Sequence, residues 1–79
     1  MQNFIVVATY TYPFEYVLLK ARLQEEAIPH IFQNETMIQV APFYSNALGG
    51  IHLKVHKDYA DYVKQLITDF ENSSPLNIV

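Results

Sequence analysis

Apolar and polar positions follow two distinct rhythms along this chain. Phe4-Ile5-Val6-Val7-Ala8 is a continuous apolar run rich in β-branched residues, and it predicts a strand over residues 3–10. One face would carry Phe4, Val6, Ala8 and Tyr10, and the other Ile5, Val7 and Thr9. Both faces are largely apolar, so the strand is expected to be central and covered on both sides. At Pro13 the rhythm changes to that of a helix. Proline suits the first helical turn, either Thr11 or Tyr12 then stands at the cap, and Glu15 falls close to the positive helix end. The helix should run to about Glu26 or Ala27, because Pro29 disfavours helical geometry at Ile28. It carries two apolar stripes. Tyr16, Leu19, Leu23 and Ala27 have the spacing of a core face, while Phe14, Val17, Leu18 and Ala21 lie on a different side. The second stripe is either a wide core contact or a contact between subunits.

Residues 28–33 predict a short strand with Ile28, His30 and Phe32 on one face. After Asn34-Glu35 the extended pattern resumes in Thr36-Met37-Ile38-Gln39-Val40. The interruption is either a bulge within one strand or a turn between two. A turn-rich loop follows, Pro42-Phe43-Tyr44-Ser45-Asn46-Ala47-Leu48-Gly49-Gly50, in which Asn46, Gly49 and Gly50 take positive φ most cheaply. Ile51, Leu53 and Val55 then alternate with His52, Lys54 and His56, the pattern of a half-buried strand. Asp58 is the expected N-cap of a second helix, with Asp61 at the capping-box position. That helix should run to about Phe70 or Glu71, with Tyr59, Tyr62, Val63, Leu66, Ile67 and Phe70 on its apolar face. Residues 72–75 predict a linker. The apolar Leu76-Asn77-Ile78-Val79 is either a short edge strand or a tail lying on a neighbour.

The resulting order is β-α-β-β-α, with a final β left open. It fits a single α+β domain over residues 1–79: a two-layer ferredoxin-like sandwich, an antiparallel sheet with two helices on one face. A chain of 79 residues is near the size at which one core is only marginally sufficient, and a composition that is 51% hydrophobic identifies a folding chain. In such a sandwich the helices cover one sheet face. The doubly apolar first strand and the stripe Phe14, Val17, Leu18 and Ala21 would then face water in a monomer. A homodimer or other homo-oligomer is therefore expected, with that stripe as its interface.

Charge and chemistry narrow the function classes. The net charge of −3, with Lys20, Arg22, Lys54, Lys57 and Lys64 scattered, argues against a nucleic-acid surface. No apolar run is long enough for a membrane span, and the start lacks the basic residues of an export signal, so a cytoplasmic address is expected. There is no cysteine for a disulfide or a thiolate metal site. His52 and His56 share a strand face but stand about 13 Å apart, too far to chelate one ion, and no metal or cofactor is expected. Ser45 lacks the surroundings of a nucleophile elbow. Glu25 and Glu26 point in different directions on a helix, so no acid/base pair converges. Gly49-Gly50 precedes a strand, whereas phosphate-cradling loops precede a helix. Candidates for binding a ligand or a protein partner are therefore Pro42, Phe43, Tyr44, Ser45, Asn46, Gly49 and Gly50. Phe43 and Tyr44 either fold back to cap the sheet end or stand out as an aromatic anchor.

Three blocks also carry a family resemblance. They are Ala8-Thr9-Tyr10 leading to Pro13-Phe14-Glu15; Leu19 and Leu23 leading to Ala27-Ile28-Pro29; and Pro42–Gly50 leading to Leu53 and Val55. Over residues 3–70 the chain resembles a bacterial family of unknown function described as prokaryotic signal-transducing proteins. The loop block looks like a subset common in Bacteroidetes-type bacteria. Ala27 departs from the family pattern, where a glycine usually ends the helix. The resemblance implies a ferredoxin-like fold similar to the PII (GlnB-like) nitrogen-regulatory proteins, with no established activity or ligand. PII proteins bind nucleotides and partners through a long loop between their second and third strands. The Pro42–Gly50 loop occupies the corresponding place but is far shorter and has no basic residue between Gln39 and Leu53. The expected function is a small regulatory, signal-transducing-type interaction module, non-enzymatic and self-associating. The alternative is a small-ligand sensor or minor enzyme using the 42–50 loop.

Overall fold

The computed structural model describes residues 3–72. β1 spans Phe4–Tyr10. A 3-10 turn, Pro13–Tyr16, leads into α1, Val17–Glu25. β2 is His30–Gln33 and α2 is Glu35–Val40. Another 3-10 turn, Pro42–Tyr44, precedes the single turn α3, Ser45–Leu48. β3 is Ile51–His56, and a 3-10 turn at Lys57–Tyr59 opens α4, Ala60–Asn72. The fold is α+β, and among the described residues three strands form an antiparallel sheet in the order β1-β3-β2. Asn72, expected to open a linker, is the last residue of α4 instead; the rest of that linker, residues 73–75, and the Leu76–Val79 segment lie outside the described residues.

β3 is the centre of the sheet, and its alternation is the most direct link from sequence to packing. Ile51, Leu53 and Val55 are fully buried, while His52, Lys54 and His56 occupy the other face, half-buried. The buried three form one cluster with Leu19 and Leu23 of α1 and with Val63 and Leu66 of α4. Both long helices therefore pack on the same side of the sheet. Each of these aliphatic side chains contributes about 1.5–3 kcal/mol through burial.

β1 departs from the simple alternation expected of it. Its register against β3 shifts between Val6 and Ala8, leaving Val7 as a bulge. Residues directly opposite each other share a face. Ile5, Ala8 and Tyr10 thus align with the buried Val55, Leu53 and Ile51, while Phe4, Val6 and Thr9 align with His56, Lys54 and His52. The expected grouping of Phe4 and Val6 with Ala8 and Tyr10 is corrected by that one extra residue. Among the described residues β1 lies at an edge of the sheet, with β3 between it and β2.

The helix boundaries have local causes. Tyr12 stands at the cap of the Pro13 turn, and the Glu15 carboxylate accepts from the backbone N–H groups of both Thr11 and Tyr12 at 2.7 Å. α1 ends in a Schellman arrangement. Ile28 N–H bonds the Leu23 carbonyl at 3.0 Å, Ala27 N–H bonds that of Gln24 at 3.2 Å, and Ala27 sits at φ 55°. Ala27 is therefore an exposed terminator and not a core position. Before α4, His56 is the cap, its Nδ1 accepting from Asp58 N–H at 3.1 Å. Asp58, the expected cap, lies inside the turn instead. Tyr59 and Tyr62 stay exposed, Tyr62 because its hydroxyl reaches out to Glu26 at 2.6 Å.

Residues 36–40, read as extended, are helical. Asn34 adopts φ 75°, which ends β2 and turns the chain. Its side-chain amide then donates to the carbonyls of Gly50 at 3.1 Å and Leu48 at 3.4 Å. Glu35 is drawn toward α1, accepting from Tyr16 Oη at 2.6 Å and from Lys20 Nζ at 2.9 and 3.0 Å. Ile38, three residues on, lies in the core. One anchoring carboxylate and one buried aliphatic at helical spacing outweigh the β propensity of the segment.

Candidate functional site

The Pro42–Gly50 loop is built from two short helical turns, and they divide its candidate residues. Pro42, Phe43 and Tyr44 form the first turn and lie exposed, the Phe43 and Tyr44 rings propped against each other at 4.6 Å. Ser45 begins the second turn. It is buried, and its hydroxyl donates to the Thr11 carbonyl at 2.9 Å. This bond fastens the loop to the segment leaving β1. Gly49 and Gly50 close the turn at φ 76° and 86°. Gly50 N–H bonds the Ser45 carbonyl at 2.8 Å, and a Cβ on Gly50 would stand 2.6 Å from the Tyr10 carbonyl oxygen.

Ser45, Asn46, Gly49 and Gly50 thereby line an open cleft of about 300 Å³ together with Thr9, Tyr10 and Thr11. Pro42, Phe43 and Tyr44 do not line it. The loop holds two surfaces: a polar cleft against the end of β1 and a projecting aromatic pair. Thr9 Oγ1 lies 3.2 Å from His52 Nδ1 on the neighbouring strand. The cleft offers hydroxyl, amide and carbonyl groups. Its serine donates its proton to a backbone carbonyl, which is no base to activate a nucleophile.

The second candidate surface is the stripe on α1. Phe14 and Leu18 are 75% and 70% exposed, and Val17 and Ala21 are exposed beside them. Tyr12 stacks on Phe14 with ring centroids 5.7 Å apart. α2 packs against the Pro13–Tyr16 turn and leads directly to Pro42–Tyr44. It turns Met37 and Val40 outward, Val40 being 81% exposed, and the next turn adds Phe43 at 77%. The sequence does not mark Met37 and Val40 as a surface, because the segment reads as extended. Their three-residue spacing behind Asn34-Glu35 is the signal that a helix would have revealed.

The junction of α1 and α2 is electrostatically closed. Tyr16 is 2% exposed, and burial, with the Glu35 carboxylate beside it, pushes its hydroxyl well above the usual tyrosine range. Burial alone would raise the Glu35 carboxyl. Hydrogen bonds from Tyr16 and Lys20, with the Lys20 charge, outweigh it and hold the group below its ordinary value. At the far end of α1, the Tyr62 hydroxyl and then the Arg22 guanidinium hold Glu26 low as well.

The histidines stand apart in role: His30 Nδ1 lies 2.7 Å from the Ile28 carbonyl, His56 caps a turn, and His52 meets Thr9. Among the described residues no three side chains gather as metal ligands, and no helix is long and apolar enough to cross a membrane. Comparison with protein-family models, curated proteins and solved structures found no match to this chain.

Proposed function

We propose that the chain is a small regulatory interaction module of the signal-transducing type, non-enzymatic and self-associating, built on a ferredoxin-like, GlnB-like sandwich. The strand order β1-β3-β2, with both outer strands antiparallel to β3, supports that topology. The observation that carries the functional reading is the apolar surface left after the core is filled. Phe14, Val17, Leu18, Met37, Val40 and Phe43 are all more than half exposed. Surfaces of this kind on small domains mark interaction sites. Sedimentation equilibrium across the micromolar range tests the reading. A mass rising toward twice 9.2 kDa supports it, and a single species at 9.2 kDa throughout rejects self-association.

The cleft favours a second reading, a small-ligand sensor. Its volume of about 300 Å³ lies at the lower end of the range of small-molecule sites, and Thr9, Thr11 and Asn46 supply polar groups around it. Thermal-shift titration with nucleotides, amino acids and divalent metals tests this reading. A saturable rise in melting temperature that Asn46→Ala abolishes supports it, and flat titrations reject it.

A further inference from the structure

We infer that self-association, on which this inference rests, uses one continuous surface spanning α1, α2 and the Pro42–Tyr44 turn, and that its occupant is the same surface of a second copy. The α1 stripe and the loop aromatics are separate features in the sequence, 25 residues apart from Leu18 to Phe43. α2 joins them. Its first turn is tied to the Pro13–Tyr16 turn by the Tyr16–Glu35 bond and to α1 by the Lys20–Glu35 pair, and its last residue leads through Ala41 into the aromatic turn.

Area and charge identify the occupant. At their observed exposures, Phe14, Val17, Leu18, Met37, Val40 and Phe43 together present roughly 700–800 Å² of accessible surface, which when fully covered matches what one partner contributes to a standard-size interface. The charged groups at the junction, Lys20 and Glu35, neutralise each other. Glu15, exposed beside Phe14, is a charge within the stripe, and its carboxylate is taken up by the backbone N–H groups of Thr11 and Tyr12, which leaves little with which to select an oppositely charged partner or to repel a second copy. The other face of the sheet is a poorer interface. It sets His52, Lys54, His56, Thr9 and Gln33 among Phe4, Val6 and Ile31, so burying it would desolvate polar groups. Two-fold pairing lets one patch satisfy both copies and closes the assembly at a dimer.

Single-cysteine labelling tests this on the full chain, which has no native cysteine. Leu18→Cys and Val40→Cys report on the proposed surface, and Lys64→Cys, exposed on α4, serves as the control. Maleimide labelling is followed from low to high micromolar concentration, with the mass measured alongside by sedimentation equilibrium. The expected result is a dimer in which Leu18→Cys and Val40→Cys label about tenfold more slowly once nine-tenths of the chains are paired, because only free monomer reacts, while Lys64→Cys is unchanged. A dimer in which both cysteines stay fully reactive overturns the surface assignment and leaves self-association standing. A mass of 9.2 kDa at every concentration overturns both.

Discussion

Gly49 and Gly50 are adjacent, and both hold a positive φ, yet replacing each with alanine should have unequal consequences. At Gly49 an added Cβ meets only His52 Nε2 at 3.7 Å, ordinary contact, so the penalty is conformational. An L-residue in the left-handed region costs about 1–2 kcal/mol, and the stiffer unfolded chain returns about 0.4–1 kcal/mol of it. The net loss for Gly49→Ala is about 1 kcal/mol. At Gly50 the same penalty applies, but the Cβ would stand 2.6 Å from the Tyr10 carbonyl oxygen and 3.2 Å from Thr9 Cγ2. Backbone cannot rotate aside as a side chain can. Relief requires β1 and the loop to separate, which adds about 1–3 kcal/mol on the scale of overpacked sites. Gly50→Ala should therefore lose about 2–4 kcal/mol. Urea unfolding of both variants measures the difference. In thermal melts it corresponds to a fall of about 4–8 °C for Gly49→Ala and more than about 10 °C for Gly50→Ala. Equal losses would refute the close approach of the loop to β1, and with it the cleft formed between them.

Ala27→Gly should stabilise the chain by about 0.5–1 kcal/mol in urea, since it relieves a positive φ of 55° within a Schellman turn whose hydrogen bonds are otherwise complete. Glu35→Gln should destabilise by about 1–3 kcal/mol at neutral pH, by weakening charge-assisted bonds to Tyr16 and Lys20. Because the folded-state carboxyl of Glu35 is lowered from 4.5, its contribution is complete above that value and is lost as pH falls through the depressed one. The acid limb of a stability–pH curve should accordingly flatten in Glu35→Gln, and an unchanged limb would count against the network. Phe43→Ala with Tyr44→Ala should cost less than about 1 kcal/mol in chemical denaturation, because both rings lie on the surface; a loss of about 3–5 kcal/mol would show that they are core residues.

The readable parts of the fold were those in which one residue's neighbours in sequence decide its place. β3 announces itself because strict alternation needs only a pleat and one wet face. The core of α4 does so because Val63, Leu66, Ile67 and Phe70 fall on one stripe. α2 was hidden because what makes it helical is remote: Tyr16 and Lys20 lie 19 and 15 residues from the carboxylate they hold. The Val7 bulge was hidden for the opposite reason. Five successive apolar residues give no mark of which one is extra, and only pairing with β3 decides it. In the candidate site, the glycines and the buried Ser45 belong to a loop that its turn residues flag. The partner wall of the cleft, Thr9–Thr11, lies more than 30 residues away and carries no local signal.

The Asn34 amide has a consequence for how this chain tolerates change. By bonding the Gly50 carbonyl it holds together the two ends of a 15-residue excursion, residues 35–49. From the sheet, that excursion is an insert whose mouth is already shut. Closing a loop twice as long would cost only about 0.6 kcal/mol more. The excursion sends few side chains back into the body of the protein, with Ile38 the one completely buried and Ser45 bonded to Thr11. Its outward tips are thus a graft position. A foreign peptide in place of residues 39–44 leaves Asn34, the two plugs and the glycine pair holding the sheet, so such a graft removes the Val40 and Phe43 part of the proposed interface without opening the fold.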